Sequence, residues 1–227
     1  MASPKLRAAS AALTLFLTAP QILGSAQAVP APQAVTVPAA PDGPHGPASA
    51  VVDQFDTALL GVMKQADKLG YAGRAKELEP VIEKAFNIPL MTRIMVGSPW
   101  NEWGDDQRSH IIDAFGKFIV ATYARRFDGY TGEDFVNKGE KPATSGGVLV
   151  ATELTRPKDP SVALTYLMRD GDNGPQIVDV FLTGTISELA TRRSEFSAVL
   201  QQGGYQGLLT ALEKKTAAQA AGSTDTQ

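Results

Sequence analysis

Near Gly129 the apolar pattern changes period, and no other feature of the chain restricts its fold as strongly. Before that point large apolar residues recur every three to four positions, as in Val52, Phe55, Leu59, Val62 and Met63. After it they alternate. "EDFVNKG", "GVLVATELT", "SVALTYLMR" and "PQIVDVFLTG" read as four strands, separated by the turn-rich segments "KPATSG", "RPKDP" and "DGDNG". Such short separators force neighbouring strands to pair antiparallel. Helical spacing returns over 186–201 and again over 205–215, on either side of Gly203 and Gly204. Helices, a strand meander and more helices predict an α+β domain, a curved antiparallel sheet of about four strands packed against helices.

The helical half has its own punctuation. Ser49 is placed to cap the first helix and Gly70 to stop it; Pro80 divides "RAKELEPVIEKAF". Asn87 can cap "IPLMTRIMV", which Gly97 closes. The longest amphipathic run, 106–127, carries Ile111, Ala114, Phe115, Phe118, Ile119 and Thr122 on one broad face.

The ends of the chain read differently. Lys5 and Arg7 precede an apolar run over 8–19, and Ala26-Gln27-Ala28 follows. A basic start, a short apolar stretch and an A-x-A site predict a cleaved signal peptide over 1–28. The apolar run is short of the roughly 20 residues a membrane span needs. Removing Lys5 and Arg7 takes the formal net charge from −3 to −5. Residues 29–50 are rich in Pro and Ala and are expected to be an extended linker. The folded domain is assigned to 51–216, with a polar tail over 217–227.

Composition removes several functions. There is no cysteine and there are two histidines, so disulfides, thiolate sites and a transition-metal enzyme are not expected. Net negative charge with interspersed signs gives nucleic acid no electrostatic footing.

Three local motifs invite a chemical reading. "GTISE" departs from the nucleophile elbow, and Ser187 has no base nearby, so Thr185 and Glu188 are read instead as a capping box. "DGDNG", with Asp170 and Asp172, lacks the glycine and bidentate Glu of a calcium loop and reads as a hairpin turn. Trp100 and Trp103 lie in a loop bounded by Pro and Gly, and either cap the core or flank an entrance.

Two charges stand out. With Ile186 at zero and about 100° per residue, Arg193 falls near 340°, inside an apolar stripe of Leu189, Ala190, Phe196 and Leu200. Arg192 falls near 240°, toward its edge. A buried cation needs a counter-ion, and Asp179 on the preceding strand is the natural one; alternatively Arg193 stands at a cavity mouth and meets an anionic headgroup. Arg126 can satisfy carbonyls in the last turn of its helix. A cone of sheet and helices can also form a steroid-isomerase-like pocket, for which Tyr166 and Asp179 are the available proton-transfer pair.

In order and spacing, "FNIPLMTRIMVG", "DQRSHIIDAFGKFIVATYARRF", "IVDVFLTGTISELATRRSEF" and "GLLTALEKK" resemble the MlaC family, the toluene-tolerance type of periplasmic lipid-binding protein. "YARRFDGYTGEDF" and "GTISELATRRSEF" are most similar to its hopanoid-associated branch, HpnM. The resemblance covers about 51–216. It implies a nuclear-transport-factor-like fold enclosing an apolar cavity that holds lipid acyl chains as cargo, with no cofactor and no catalysis. It also implies exchange with an inner-membrane ABC transporter bearing an MCE-domain subunit and with an outer-membrane lipoprotein complex. On that footing the cavity wall is assigned to Met95, Phe115, Phe118, Ile119, Leu164, Tyr166, Met168, Val180 and Leu182, with Trp100 and Arg193 at its edge. An isomerase-like enzyme on a polycyclic lipid, or a lipid-free envelope interaction module, are the alternatives.

Overall fold

The structure, a computed structural model, describes residues 45–222. The expected signal peptide, most of the linker and the last five residues of the expected tail lie outside them. In chain order the elements are α1 (Pro47–Lys64), α2 (Ala66–Ala85), α3 (Ile88–Val96), a 3-10 turn (Ser98–Glu102), α4 (Asp105–Arg126), β1 (Asp134–Pro142), β2 (Val148–Thr155), β3 (Val162–Gly171), β4 (Gly174–Leu182), β5 (Ile186–Ser187) and α5 (Glu188–Ala221). The strands form one antiparallel sheet in the order β1-β2-β3-β4-β5. This is the meander the period-2 pattern predicts, lengthened by a two-residue fifth strand.

Helix α1 starts two residues before Ser49, and a strand caps it. The Ser49 amide donates to Oε2 of Glu140 on β1 at 2.8 Å. A carboxylate there satisfies an orphan donor and complements the helix dipole. Ser49 is therefore a first-turn residue and not the cap. Asn87 does cap α3, accepting from the Leu90 amide at 3.0 Å. Two helices bend at glycines with positive φ, Gly70 in α2 (φ 59°) and Gly204 in α5 (φ 54°); a side chain with a Cβ would be strained in that region. Pro80 remains inside α2. The carbonyl it leaves without a donor belongs to exposed Lys76, so water can serve it.

One cationic side chain is buried within the helical layer. Arg74 of α2 donates from Nε to the Ala124 carbonyl at 2.9 Å and from Nη1 to the Ala66 carbonyl at 3.1 Å. It thereby closes the last turn of α4 and the bend of α2 together. Arg74→Met keeps the apolar stem, removes a buried charge and frees two carbonyls. The first two effects offset part of the third, so a loss of about 1–2 kcal/mol is expected from denaturant unfolding.

The core lies between the sheet and the helices. At its centre Phe55 (α1) meets Phe86, Tyr123 (α4) and Tyr166 (β3) edge to face, with ring centroids 5.1, 5.3 and 6.3 Å away. Tyr166 donates a hydrogen bond to Asp56 Oδ1 at 3.0 Å, tying α1 to the middle of the sheet.

Candidate functional site

Two openings adjoin on the side of the molecule where α2, α3 and α4 meet the β3–β4 turn. The larger is a groove of about 1010 Å³. Its walls come from α2 (Glu79, Ile82, Glu83), the start of α3 (Ile88, Leu90, Arg93), Trp100, α4 (Ile112, Asp113, Lys117, Val120) and the turn at 170–173. The smaller is a cleft of about 440 Å³ between α1 and α2, lined by Val51, Phe55, Ala58, Pro80, Val81 and Pro175 among others. Glu83, Asn173 and Gln176 border both. Gln176 is held at this join by hydrogen bonds from Nε2 to the Lys84 and Phe86 carbonyls, at 3.3 and 3.4 Å. A charged groove thus adjoins an apolar cleft, with Gln176 between them, and Phe55, at the edge of the aromatic core, lines the cleft.

The residues assigned to a cavity wall divide sharply. Met95, Phe115, Phe118, Ile119, Leu164, Tyr166, Met168 and Val180 are buried and belong to one core cluster, with half-buried Leu182 and Trp100 packed against it. Trp100 lines the groove, and the others line neither opening. Trp100 lies 6.3 Å from Trp103, which is itself buried against Tyr205, and Arg108 sits over the Trp100 ring at 5.7 Å.

Arg193 is not in the apolar stripe. It is exposed, lies over Gly97 at the end of α3, and makes no ion pair among the described residues. Arg192 occupies the inner position instead. Its guanidinium stands 5.3 Å from the Phe118 ring and pairs with Glu195 at 2.7 Å and Glu188 at 3.4 Å. Arg126 joins the same network through Glu188 at 3.4 Å, and Lys215 through Glu195 at 2.7 Å. Arg126 thus pairs with an acid rather than with carbonyls.

Asp179 is a cap and not the counter-ion of Arg193. Its Oδ1 accepts from the Val180 and Leu189 amides at 2.8 and 3.0 Å, and its Oδ2 from the Ser187 hydroxyl at 2.6 Å. Ser187 Oγ in turn accepts from the Ala190 amide at 2.8 Å and is the N-cap of α5. The expected Thr185/Glu188 box does not form, because Ile186 and Ser187 pair with β4 and push the helix start to Glu188. Burial raises the Asp179 carboxyl above its ordinary value, against the lowering effect of its bonds from Ser187, Leu189 and Val180.

The isomerase-like pair is separated by the sheet. Tyr166 stands opposite Val180 and Leu167 opposite Asp179, so Tyr166 and Asp179 point to opposite faces. The carboxyl that Tyr166 does meet is Asp56, pushed up to about 7 by burial, with the Tyr166 bond acting downward and the Asp53 charge upward. Sequence reasoning passed over Asp56 and Arg74. The signal was present: both sit in apolar stripes, Asp56 among Val52, Leu59 and Met63, and Arg74 above Leu78 and Ile82. "DGDNG" forms the β3–β4 hairpin, as its composition suggested. Among the described residues no group of His, Cys, Asp and Glu is placed to hold a metal ion, and no helix is long and apolar enough to cross a membrane.

Comparison with known proteins bears on the whole domain. A search of curated proteins gives no match. Among solved structures, the phospholipid-binding protein from Ralstonia solanacearum, determined in complex with a phospholipid, is similar with a TM-score of 0.67. The identity is 22%, and the match covers 77% of this chain and 99% of that one, which establishes a shared fold. The model of the family described as MlaC protein matches residues 53–214. With nearly the whole folded part inside that match, the chain belongs to the MlaC family.

Proposed function

We propose that this protein is an exported, non-enzymatic phospholipid-binding protein. The observation that carries the reading is the join at Gln176 of a charged groove to an apolar cleft, which is the polarity an amphipathic lipid requires. The fold it shares with a protein solved with a phospholipid supports the same reading. Acyl chains enter at the cleft, pass Phe55 and part the core side chains from Met95, Phe115 and Phe118 to Leu164, Met168, Val180 and Leu182. Each methylene removed from water is worth about 0.8 kcal/mol, so a buried chain can offset the opening of a packed core.

As an MlaC-family member the protein carries its lipid across the periplasm, between an inner-membrane ABC transporter with an MCE-domain subunit and an outer-membrane lipoprotein complex. Phospholipid or hopanoid-type lipid is the cargo, and no catalytic step is involved. Organic extraction of protein purified from its native compartment, followed by mass spectrometry, is expected to recover about one equivalent of lipid. Protein that carries no lipid and takes none from vesicles would overturn the proposal.

A further inference from the structure

The groove's charges are not used up within the fold. Lys117 and Asp113 close on each other at 2.7 Å and form a neutral pair. Arg93, exposed on α3, has no side-chain hydrogen bond or ion pair among the described residues. Glu79 and Glu83 are exposed one helical turn apart on α2; neither makes a hydrogen bond or close ion pair there, and Glu79 feels Lys117 only at longer range. Two like charges at i and i+4 work against their own helix. Here both face the same opening as the uncommitted arginine, above a floor of Ile82, Phe86 and Ile88.

A lone phosphate would suit Arg93 but would meet the two glutamates, with Asp170 and Asp172 at the turn adding further negative charge. A simple cation would suit the glutamates but would meet Arg93. A group carrying both signs satisfies all three side chains, and the apolar cleft beyond Gln176 requires that this group be attached to hydrocarbon. We propose that the groove is a headgroup subsite for a zwitterionic phospholipid, in which Arg93 contacts the phosphate and Glu79 and Glu83 hold the ammonium. This rests on the phospholipid reading and adds headgroup selectivity to it.

The test uses delipidated full-length mature protein and short-chain, monomeric dihexanoyl lipids, followed by calorimetry. The ethanolamine lipid is expected to bind on the order of tenfold tighter than the glycerol lipid. In Glu79→Gln/Glu83→Gln that preference falls to within about twofold, chiefly through tighter binding of the glycerol lipid. Arg93→Gln weakens both lipids by roughly tenfold. All three side chains are exposed, and an unchanged Tm is the folding control. Phosphoethanolamine, which has the charges without the chains, should compete only at concentrations at least about a hundredfold higher. Equal affinity for the two lipids, or preference for the glycerol lipid, overturns the headgroup subsite and leaves phospholipid binding standing. Competition by phosphoethanolamine as strong as by the lipid itself would make the groove a site for a soluble zwitterion, which also overturns it. Binding of neither lipid overturns the parent reading instead.

Discussion

Tyr166→Phe is expected to lower unfolding stability by about 2–4 kcal/mol at pH 8 and by about 1 kcal/mol at pH 5. Tyr166 is 2% exposed, and its hydroxyl is bonded to Asp56 in the middle of the α1–sheet interface. The Asp56 carboxyl has an ordinary value of 3.8 and lies at about 7 in the folded protein. The folded state therefore holds a proton that the unfolded state releases, so stability is greatest below about pH 4 and falls as pH rises towards 7, with no further change above. Three pH units of such a slope correspond to at most about 4 kcal/mol. Above pH 7 the carboxylate is charged and buried, and the Tyr166 hydroxyl is its one hydrogen-bond donor among the described residues. Below pH 5 the bond joins two neutral groups and is worth less. Asp56→Asn keeps an acceptor for Tyr166 and removes the titration, so it should flatten the pH profile. Urea unfolding of the three proteins at pH 5 and 8 checks this. An equal loss for Tyr166→Phe at both pH values, or an undiminished slope in Asp56→Asn, would overturn it.

Much of the fold could be read from periodicity because period reports which side of an element is buried. The four long strands, the hairpin at 171–174, the cap at Asn87 and the break at Gly204 follow from residues within a few positions of each other. Phase was less secure than period. Setting the origin of α5 at Ile186 assumed that Ile186 and Ala190 face inward. Ile186 is on β5 and 41% exposed, and Ala190 is exposed. Without those two the face is defined by buried Leu189 and Phe196 with half-buried Val199 and Leu200 on either side, and it centres at about 280°, about 40° from Arg192 and about 60° from Arg193. The shift brings Arg192 nearer the buried face than Arg193.

The openings were illegible for a different reason. Met95, Phe115 and Met168 are apolar at regular spacing, and regular spacing identifies whatever packs inside. The groove is made by residues that spacing treats as surface, such as Glu79, Arg93 and Lys117. They come together because α2, α3, α4 and the β3–β4 turn converge in space, and nothing local to any one element records that convergence.

Asp179→Ala should cost about 2–4 kcal/mol, while Arg193→Ala should stay within about 0.5 kcal/mol of the parent. One carboxylate accepts three hydrogen bonds, and its removal leaves the buried Leu189 amide and the Ser187 hydroxyl without their acceptor. The Ser187 cap on Ala190 loosens with it, so the first turn of α5 loses two satisfied donors at once. Asp179→Asn retains an oxygen for the amides and gives up mainly the bond from Ser187, so about 1–2 kcal/mol is expected. Arg193 has nothing comparable to lose, since it lies exposed over Gly97. A double-mutant cycle on residues 179 and 193, read from denaturant midpoints, separates the two accounts. A cap predicts additive losses with coupling below about 0.5 kcal/mol, whereas an ion pair predicts coupling well above it. Strong coupling would return Asp179 to the role of counter-ion and require α5 to turn Arg193 inward. Additivity, with the loss confined to Asp179, would show that the junction between sheet and helix is held by a carboxylate that caps, leaving both arginines of the pair free of it.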